Sequence, residues 1–257
     1  MLFTLSALLV TVALCGVTLG LLELGLRLGR AQLDRGDSLP SGLGALEGAV
    51  FGLMGLLVAF SFSGAAQRLD ARRQLIIEEA NAIGTAWLRL DLLPGDAQPA
   101  LRDDFRRYLD HRMAAYRAIP DMAAARAHLD SVAALQSDIW GRATEALPRA
   151  PGSAAPMLLL PALNSMFDIA TSRDFTARMH PPLMIWILLG VLTLSCALLA
   201  GYDMAGNPSR SWMHTGAFAA LLAAALLVIV DLEFPRVGLI RIDAVDQVLL
   251  ALRATMQ

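Results

Sequence analysis

Four acidic side chains lie in or at the ends of long apolar runs, where an ionised group is costly. Glu47 falls about one turn inside the second run, and Glu23 lies near the end of the first. Asp231 and Glu233 close the fourth run. Carboxylates at membrane depth usually mark ion or proton pathways, although those at the run ends can simply be wetted by lipid headgroups. Glu47 and Asp231 are therefore the stronger candidates for a functional acid.

A polar stripe is the second candidate for chemistry, in the segment RRQLIIEEANAIGTAWLRLDLLP (72–94). At about 100° per residue its polar members share one helix face and its apolar members share the opposite face. The polar members are Gln74, Glu78, Asn81 and Thr85, with Arg89 at the edge, and the apolar members are Ile76, Ala80, Ile83, Trp87 and Leu90. The apolar stripe is expected to be buried. The polar stripe, with Glu47, is interpreted as a vestibule or an intersubunit network.

The second apolar run, GLGALEGAVFGLMGLLVAFSFSG, has two different faces when read as a helix. One face carries small residues at a spacing that lets helices pack closely in lipid: Gly48, Gly52, Gly55 and Ala59. The opposite face is an apolar ridge that includes Val50, Leu53, Leu57 and Phe60. Periodicity by itself favours simple lipid exposure of this ridge. The alternative is an apolar constriction lining a pore, which can gate by dewetting.

Enzymatic chemistry has little support in this sequence. The four histidines (His111, His128, His180 and His214) include no pair at i, i+4, and neither a GxSxG nor an HExxH pattern occurs. GxGxxG and P-loop patterns are also missing, and the two cysteines, Cys15 and Cys196, lie in apolar runs as small fillers. We therefore expect no enzyme, no cofactor and no metal site. The net charge of −2 also gives no indication of a nucleic-acid partner.

Four apolar runs are long enough to cross a bilayer, which requires about 20 residues each. They are Leu2–Leu22, Leu43–Ala66, Leu183–Gly201 and Thr215–Val230. Hydrophobic residues make up 56% of the chain and charged residues only 17%, as expected for a membrane protein. The first run lacks a preceding positive charge and exceeds the length of a signal peptide, so it is interpreted as a retained span.

The spans form two pairs around a polar insert. We predict transmembrane helices 1 and 2 in residues 1–66, a cytoplasmic helical domain in 67–180, transmembrane helices 3 and 4 in 181–232, and a C-terminal cytoplasmic segment in 233–257. No period-two strand pattern appears, which predicts an all-α integral membrane protein. Helices in the insert are predicted at about 67–93, 99–117, 120–147 and 157–179, with a short one at about 243–255. Gly84 is costly in mid-helix and predicts a close contact with another helix there.

Arginines near the span ends predict the orientation. The side that carries both termini and the insert has more of them: Arg68, Arg72, Arg73, Arg173, Arg178, Arg236 and Arg241. The side with the two short loops has Arg27, Arg30, Arg35 and Arg210. We expect the protein in a bacterial inner membrane, with both termini and the insert in the cytoplasm.

Three segments carry a recognisable pattern. EEANAIGTAWLRLDLLP (78–94) resembles the signature of the bacterial bestrophin-like family, a domain long described as of unknown function. LLPALNSMFDIATSRDFTARMHPPL (159–183) is similar to the family's segment before the third span, and DLEFPRVGLIRI (231–242) to the segment after the fourth. Family members usually show an acid-Arg-Pro order in that last segment, whereas this chain has Glu233-Phe234-Pro235-Arg236. With the four spans, the resemblance covers almost the whole chain.

The resemblance implies four transmembrane helices and a cytoplasmic helical domain. It also implies a more distant relation to bestrophins, which are pentameric anion channels whose second transmembrane helix lines the pore with apolar rings. On that analogy we expect a homo-oligomer, with a pentamer favoured, in contact with the lipid bilayer and with small ions. The resemblance favours the pore interpretation of the ridge Val50, Leu53, Leu57 and Phe60.

Three functions are compatible with this sequence. The first is an oligomeric ion channel that passes small anions. The second is a non-conducting membrane scaffold whose Ala-rich, charge-balanced insert recruits a cytoplasmic partner. The third is a proton-coupled transporter that uses Glu47 or Asp231, which four short unbroken spans disfavour.

Overall fold

The computed structural model describes residues 2–36, 43–206 and 212–256, and these residues form helices joined by turns and short irregular links, with no strand among them. The predicted all-α class is therefore confirmed for this part of the chain. The α-helices are α1 (Leu2–Asp34), α2 (Leu43–Arg89), α3 (Gln98–Arg117), α4 (Met122–Ala146), α5 (Ala155–Arg178), α6 (Leu183–Asp203), α7 (Trp212–Glu233) and α8 (Gln247–Thr255). Short 3₁₀ turns follow α2, α4 and α6. Arg210, one of the loop arginines used for orientation, lies outside the described residues.

The helices agree with the predicted order, and the first span is much longer than predicted. The first span continues to Asp34, about three turns beyond the predicted end. The second span and the amphipathic helix form the single 47-residue helix α2. Two helix starts follow from local chemistry: Pro99 occupies the first turn of α3, and the carboxylate of Asp121 accepts hydrogen bonds from the first-turn amides of α4.

Four helical segments are long and apolar enough to cross a membrane. They are Leu9–Asp34, Gly44–Leu92, Ala155–Gly206 and Trp212–Glu233. The chain divides into two compact units. Unit 1 comprises Met1–Gln67 and His180–Phe234, and unit 2 comprises Arg68–Met179 and Pro235–Gln257.

Unit 1 is held together by a close approach of α1 and α6. A Cβ atom added at Gly201 would lie 2.0 Å from the carbonyl oxygen of Leu22, and one added at Gly25 would lie 2.1 Å from the carbonyl oxygen of Leu198. Only glycine fits at such positions, because real Cβ atoms do not approach backbone atoms this closely. The small residues that bring two spans together within the chain are therefore on α1 and α6 rather than on α2.

Unit 2 has a core of aliphatic and aromatic side chains from α2, α3, α4 and α5. The predicted apolar stripe of α2 is buried, since Ile76, Ile83 and Leu90 are all 1% exposed or less. Trp87 meets Phe105 of α3 edge-to-face at 6.2 Å. The C-terminal helix α8 also belongs to this unit, and Leu252 lies 3.3 Å from the position of a Cβ at Gly84. The close helix contact predicted at Gly84 is thus made by α8 of the same chain.

Candidate functional site

The predicted ridge of α2 divides into two pairs of residues. Leu53 and Phe60 are 53% and 67% exposed. Val50 and Leu57 are half-buried and pack against a cluster of Met54, Leu192 and Cys196. The first pair is therefore available to a pore or to lipid, whereas the second pair also secures α2 to α6.

Leu56 is a further exposed residue on α2 that the sequence interpretation did not include. It is 52% exposed and lies one turn before Phe60. Phe60 and the exposed Ser63 lie on the same helix face as Leu56, one and two turns further along α2. The exposed face of this half of α2 is centred on Leu56, so it is rotated from the predicted ridge by about one residue.

The four small residues predicted for helix packing in the membrane half of α2 meet no other helix of the described chain. Gly48, Gly52 and Gly55 have no atom within 4 Å of an added Cβ, and Ala59 is exposed. A bilayer lipid or another copy of the chain has free access to this surface. The predicted role in helix packing remains a prediction about such an external neighbour.

Glu47 is buried in unit 1 although it belongs to an apolar span. It is 7% exposed, and its Oε1 accepts no hydrogen bond from any described residue. Its electrostatic neighbour is Asp203, at the end of α6. Burial of an unpaired carboxylate oxygen costs free energy, so this residue is unlike an acid wetted at an interface.

The acids at the other span ends have partners. Glu23 accepts a 2.9 Å hydrogen bond from Arg27. Asp231 and Glu233 are buried, and the Nδ1 atom of His180 lies 3.5 Å from Oε2 of Glu233. The ring of His180 also stacks on Phe234 at 4.7 Å.

The predicted polar stripe lies on the surface of unit 2. Gln74, Asn81 and Thr85 are exposed, and Glu78 and Arg89 are half-buried. The amide of Gln74 donates to Glu78 at 3.0 Å, and Arg89 donates to the carbonyl of Leu158 at 2.5 Å. The stripe therefore has the exposure that a vestibule lining requires.

Glu79, the neighbour of Glu78, is fully buried and forms the centre of a charged network in unit 2. Arg112 of α3 donates to Oε1 of Glu79 at 2.5 Å, and Arg173 of α5 donates to Oε2. Arg112 also donates to both carboxylate oxygens of Asp174, at 2.9 and 3.0 Å. Two arginines and two carboxylates thus connect α2, α3 and α5. A buried charge is tolerated only with this kind of pairing.

Tyr116 brings a third arginine into the network. Its hydroxyl donates to Asp174, and the guanidinium groups of Arg173 and Arg236 lie 3.9 and 5.0 Å from its ring centroid. Burial raises the pKa of the Tyr116 hydroxyl, so it stays a neutral donor. Arg236 in turn donates to Asp246, which connects the C-terminal segment to the same cluster.

The network was missed by the sequence interpretation, although a signal for Glu79 exists. Arg72, Ile76, Glu79 and Ile83 follow the i, i+3, i+4 spacing of one helix face, so Glu79 shares the apolar stripe while Glu78 shares the polar one. A charged residue in register with a buried stripe indicates a buried ion pair. The partners, on α3 and α5, are too distant in sequence for this spacing to identify them.

Similarity to known proteins agrees with this architecture. A sequence profile described as the bestrophin-like domain matches residues 8–246. Two crystal structures superpose on the chain, each covering 96% of it and 97% of their own length at 12% identity. One is of a membrane protein carrying a proline-to-alanine substitution, with a TM-score of 0.71. The other is of a bacterial bestrophin homologue from Klebsiella pneumoniae carrying a tyrosine-to-alanine mutation, with a TM-score of 0.65.

A search of curated protein sequences found no match. The two structural similarities support the fold alone at this level of identity. The profile match extends over nearly the whole length, from α1 to the residue before α8. The chain therefore belongs to the bestrophin-like family.

Proposed function

We propose that this protein is an oligomeric ion channel that passes small anions through a pore lined by α2. The observation that carries the proposal is the exposed apolar face of α2, where Leu53, Leu56 and Phe60 have no covering helix among the described residues. In a ring of copies such a face would form stacked apolar rings, which gate by dewetting. The bestrophin-like family assignment supports this function over a scaffold or a transporter.

The proposed membrane arrangement follows the predicted domains. Residues 1–66 and 181–232 form the membrane part, and residues 67–180 and 233–257 the cytoplasmic part, in a bacterial inner membrane. A pentamer is proposed by analogy with bestrophins. Native mass spectrometry of the purified protein should give a single closed oligomer, and a monomer would contradict the proposal. Cysteine variants at exposed Asn81 and Met122 should be labelled only from the cytoplasmic side.

Conductance in planar bilayers is the direct test. The wild-type protein should conduct, and Phe60→Ala and Leu56→Ala should each widen the apolar constriction and raise the open fraction. Leu57→Ala should have a smaller effect on conductance, because Leu57 is half-buried against the cluster on α6. Leu221→Ala is a matched control, since Leu221 is 72% exposed on α7 and should leave conductance unchanged. Bilayers that remain silent across pH, voltage and calcium would favour the scaffold instead.

The ion sign depends on which charges line the pathway. Glu47 is buried within unit 1, so its carboxylate is withdrawn from the exposed face of α2. Glu78 belongs to the exposed polar stripe and attracts cations there. The reversal potential of the wild-type channel should show a preference for anions. Glu78→Gln removes a negative charge from the stripe and should make that preference stronger. A cation-selective wild-type channel would contradict the proposed selectivity without contradicting the pore.

A further inference from the structure

Two histidines of unit 2 bring their ring nitrogens together across two helices. His111 on α3 and His128 on α4 have their Nδ1 atoms 3.1 Å apart. The ring centroids are 5.3 Å apart and the ring planes are tilted by 54°, so the rings are not stacked. Both side chains are half-buried. Neither the charged network around Glu79 nor the proposed pore uses this pair.

The separation of the two nitrogens matches that of two imidazole ligands on one metal ion. With metal–nitrogen bonds of about 2.0–2.1 Å, two ligands lie about 2.9 Å apart at a right angle and about 3.4 Å apart at a tetrahedral angle. The observed 3.1 Å falls between these values. A hydrogen bond between the rings also fits the distance, but it requires opposite tautomers, whereas a metal requires both Nδ1 atoms unprotonated.

The two imidazoles have no competing hydrogen-bond partner among the described residues. The roles of donor and acceptor in the contact between the two rings depend on the tautomer of each imidazole. The residues one turn away toward the α3–α4 loop are small: Ala114 and Ala115 on α3, and Ala124 and Ala125 on α4. Ala115 and Ala125 are only 3% and 4% exposed, so water ligands would approach from the solvent-facing side of the half-buried rings.

We propose that His111 and His128 form a binding site for one divalent transition-metal ion of the zinc, nickel or copper class. The two Nδ1 atoms are the protein ligands. Within residues 2–36, 43–206 and 212–256 no group of three or more His, Cys, Asp or Glu side chains could hold a metal, so water fills the other positions. Calcium and magnesium prefer oxygen ligands and are excluded on that ground.

Zinc titration of the full-length, metal-free protein without a histidine tag tests the site. Calorimetry should show one zinc ion per chain. His111→Asn and His128→Asn should each weaken the affinity by about tenfold or more, which is 1.4 kcal/mol per factor of ten. Asparagine keeps a hydrogen bond between the helices but does not replace an imidazole as a zinc ligand, so a merely structural histidine pair would not show this loss. Thermal unfolding without metal verifies that each variant is folded.

Two further measurements separate the site from other histidines. His180→Asn and His214→Asn, the remaining histidines of the chain, should leave the zinc stoichiometry and affinity unchanged. Copper loading should give an electron paramagnetic resonance spectrum with coupling to two imidazole nitrogens, and each of His111→Asn and His128→Asn should remove one. Equal zinc affinity in the wild type and in His111→Asn, or a wild type that binds none, would overturn the proposal and leave the pair as a hydrogen bond.

Discussion

The two halves of α2 lie in very different surroundings within the same helix. In unit 2, every turn of α2 places a side chain in the core, and Ile76, Ile83 and Leu90 are almost completely inaccessible. In unit 1, burial is sparse: the buried residues between Gly44 and Ala66 are Glu47, Met54 and Ala65. The apolar residues of this half are mostly exposed, including Leu53 and Phe60.

The difference shows which half of α2 is completed by its own chain. The half in unit 2 pairs even its buried carboxylate, Glu79, with two arginines. The half in unit 1 leaves a glycine face and an apolar face to neighbours outside the described chain. Lipid is sufficient for leucine and phenylalanine, but glycines at helical spacing gain little from lipid and are typical of contact with another helix. The comparison therefore supports a second copy against the α2 glycines.

The largest expected effect on thermal stability comes from substituting the adjacent glutamates of α2, Glu78 and Glu79. Glu79→Ala removes the carboxylate that Arg112 and Arg173 share, so the two buried cations keep only their outer partners, Asp174 and Asp246, among the described residues. Breaking a buried pair in this way costs about 3–5 kcal/mol. Glu78→Ala changes a half-buried side chain whose one hydrogen bond to a described residue is with Gln74, and should alter stability by no more than about 0.5 kcal/mol.

Thermal unfolding in detergent measures this contrast. The midpoint should fall strongly for Glu79→Ala and hardly at all for Glu78→Ala. Equal midpoints for the two variants would show that the unit 2 half of α2 does not depend on its buried charge. Restoring the carboxylate one carbon shorter, in Glu79→Asp, should recover only part of the loss, because the two arginines hold a fixed geometry.

The next largest effect on thermal stability is expected from the glycines of unit 1. In Gly201→Ala the new methyl group meets the backbone of Leu22, so α1 and α6 must separate, at a cost of about 1–3 kcal/mol or more. The methyl group added in Gly52→Ala contacts no atom of the described chain, so the fold of a single chain should be unchanged. We expect lower thermal stability only for Gly201→Ala.

A bulkier change at the same glycine tests the external neighbour. Gly52→Leu should leave the secondary structure intact and should shift the oligomer toward smaller species on native mass spectrometry. If Gly52→Leu assembled like the wild type, the α2 glycines would face lipid, and the contrast with Gly201 would have no bearing on assembly.

The sequence was sufficient for the elements and for the buried stripe of α2. Apolar length identifies four spans, and helical spacing selects Ile76, Ile83 and Leu90 as buried, because both signals are local in the chain. The same spacing failed to identify which glycines pack within the chain. Gly25 meets Leu198 and Gly201 meets Leu22, each more than 170 residues away, and these contacts depend on how α1 and α6 pair, which no local pattern encodes.

The candidate site shows the same limit. The exposed and half-exposed members of the polar stripe were assigned from periodicity alone, but Glu79 was passed over for its neighbour. The distinction between the two glutamates depends on Arg112 and Arg173, which come from α3 and α5. The exposed face of the unit 1 half is rotated by about one residue from the predicted ridge. Helix α6 packs against Val50 and Leu57, and the side of α2 that it covers depends on tertiary packing, which helical spacing does not encode.

Gly84 gives the smallest expected effect and tests whether α8 completes the unit 2 half of α2. An added Cβ would lie 3.3 Å from Cδ1 of Leu252, the end of a flexible side chain. Gly84→Ala should therefore be neutral or stabilising by up to about 1 kcal/mol, because alanine favours the helix.

Gly84→Leu overfills the contact and should cost about 1–3 kcal/mol. Combined with Leu252→Ala, which makes room, the same substitution should cost less than it does alone, and unfolding midpoints of the four proteins give the coupling directly. A loss in Gly84→Leu that Leu252→Ala leaves unchanged would place the crowding elsewhere, and α8 would then not be the helix that covers this half of α2.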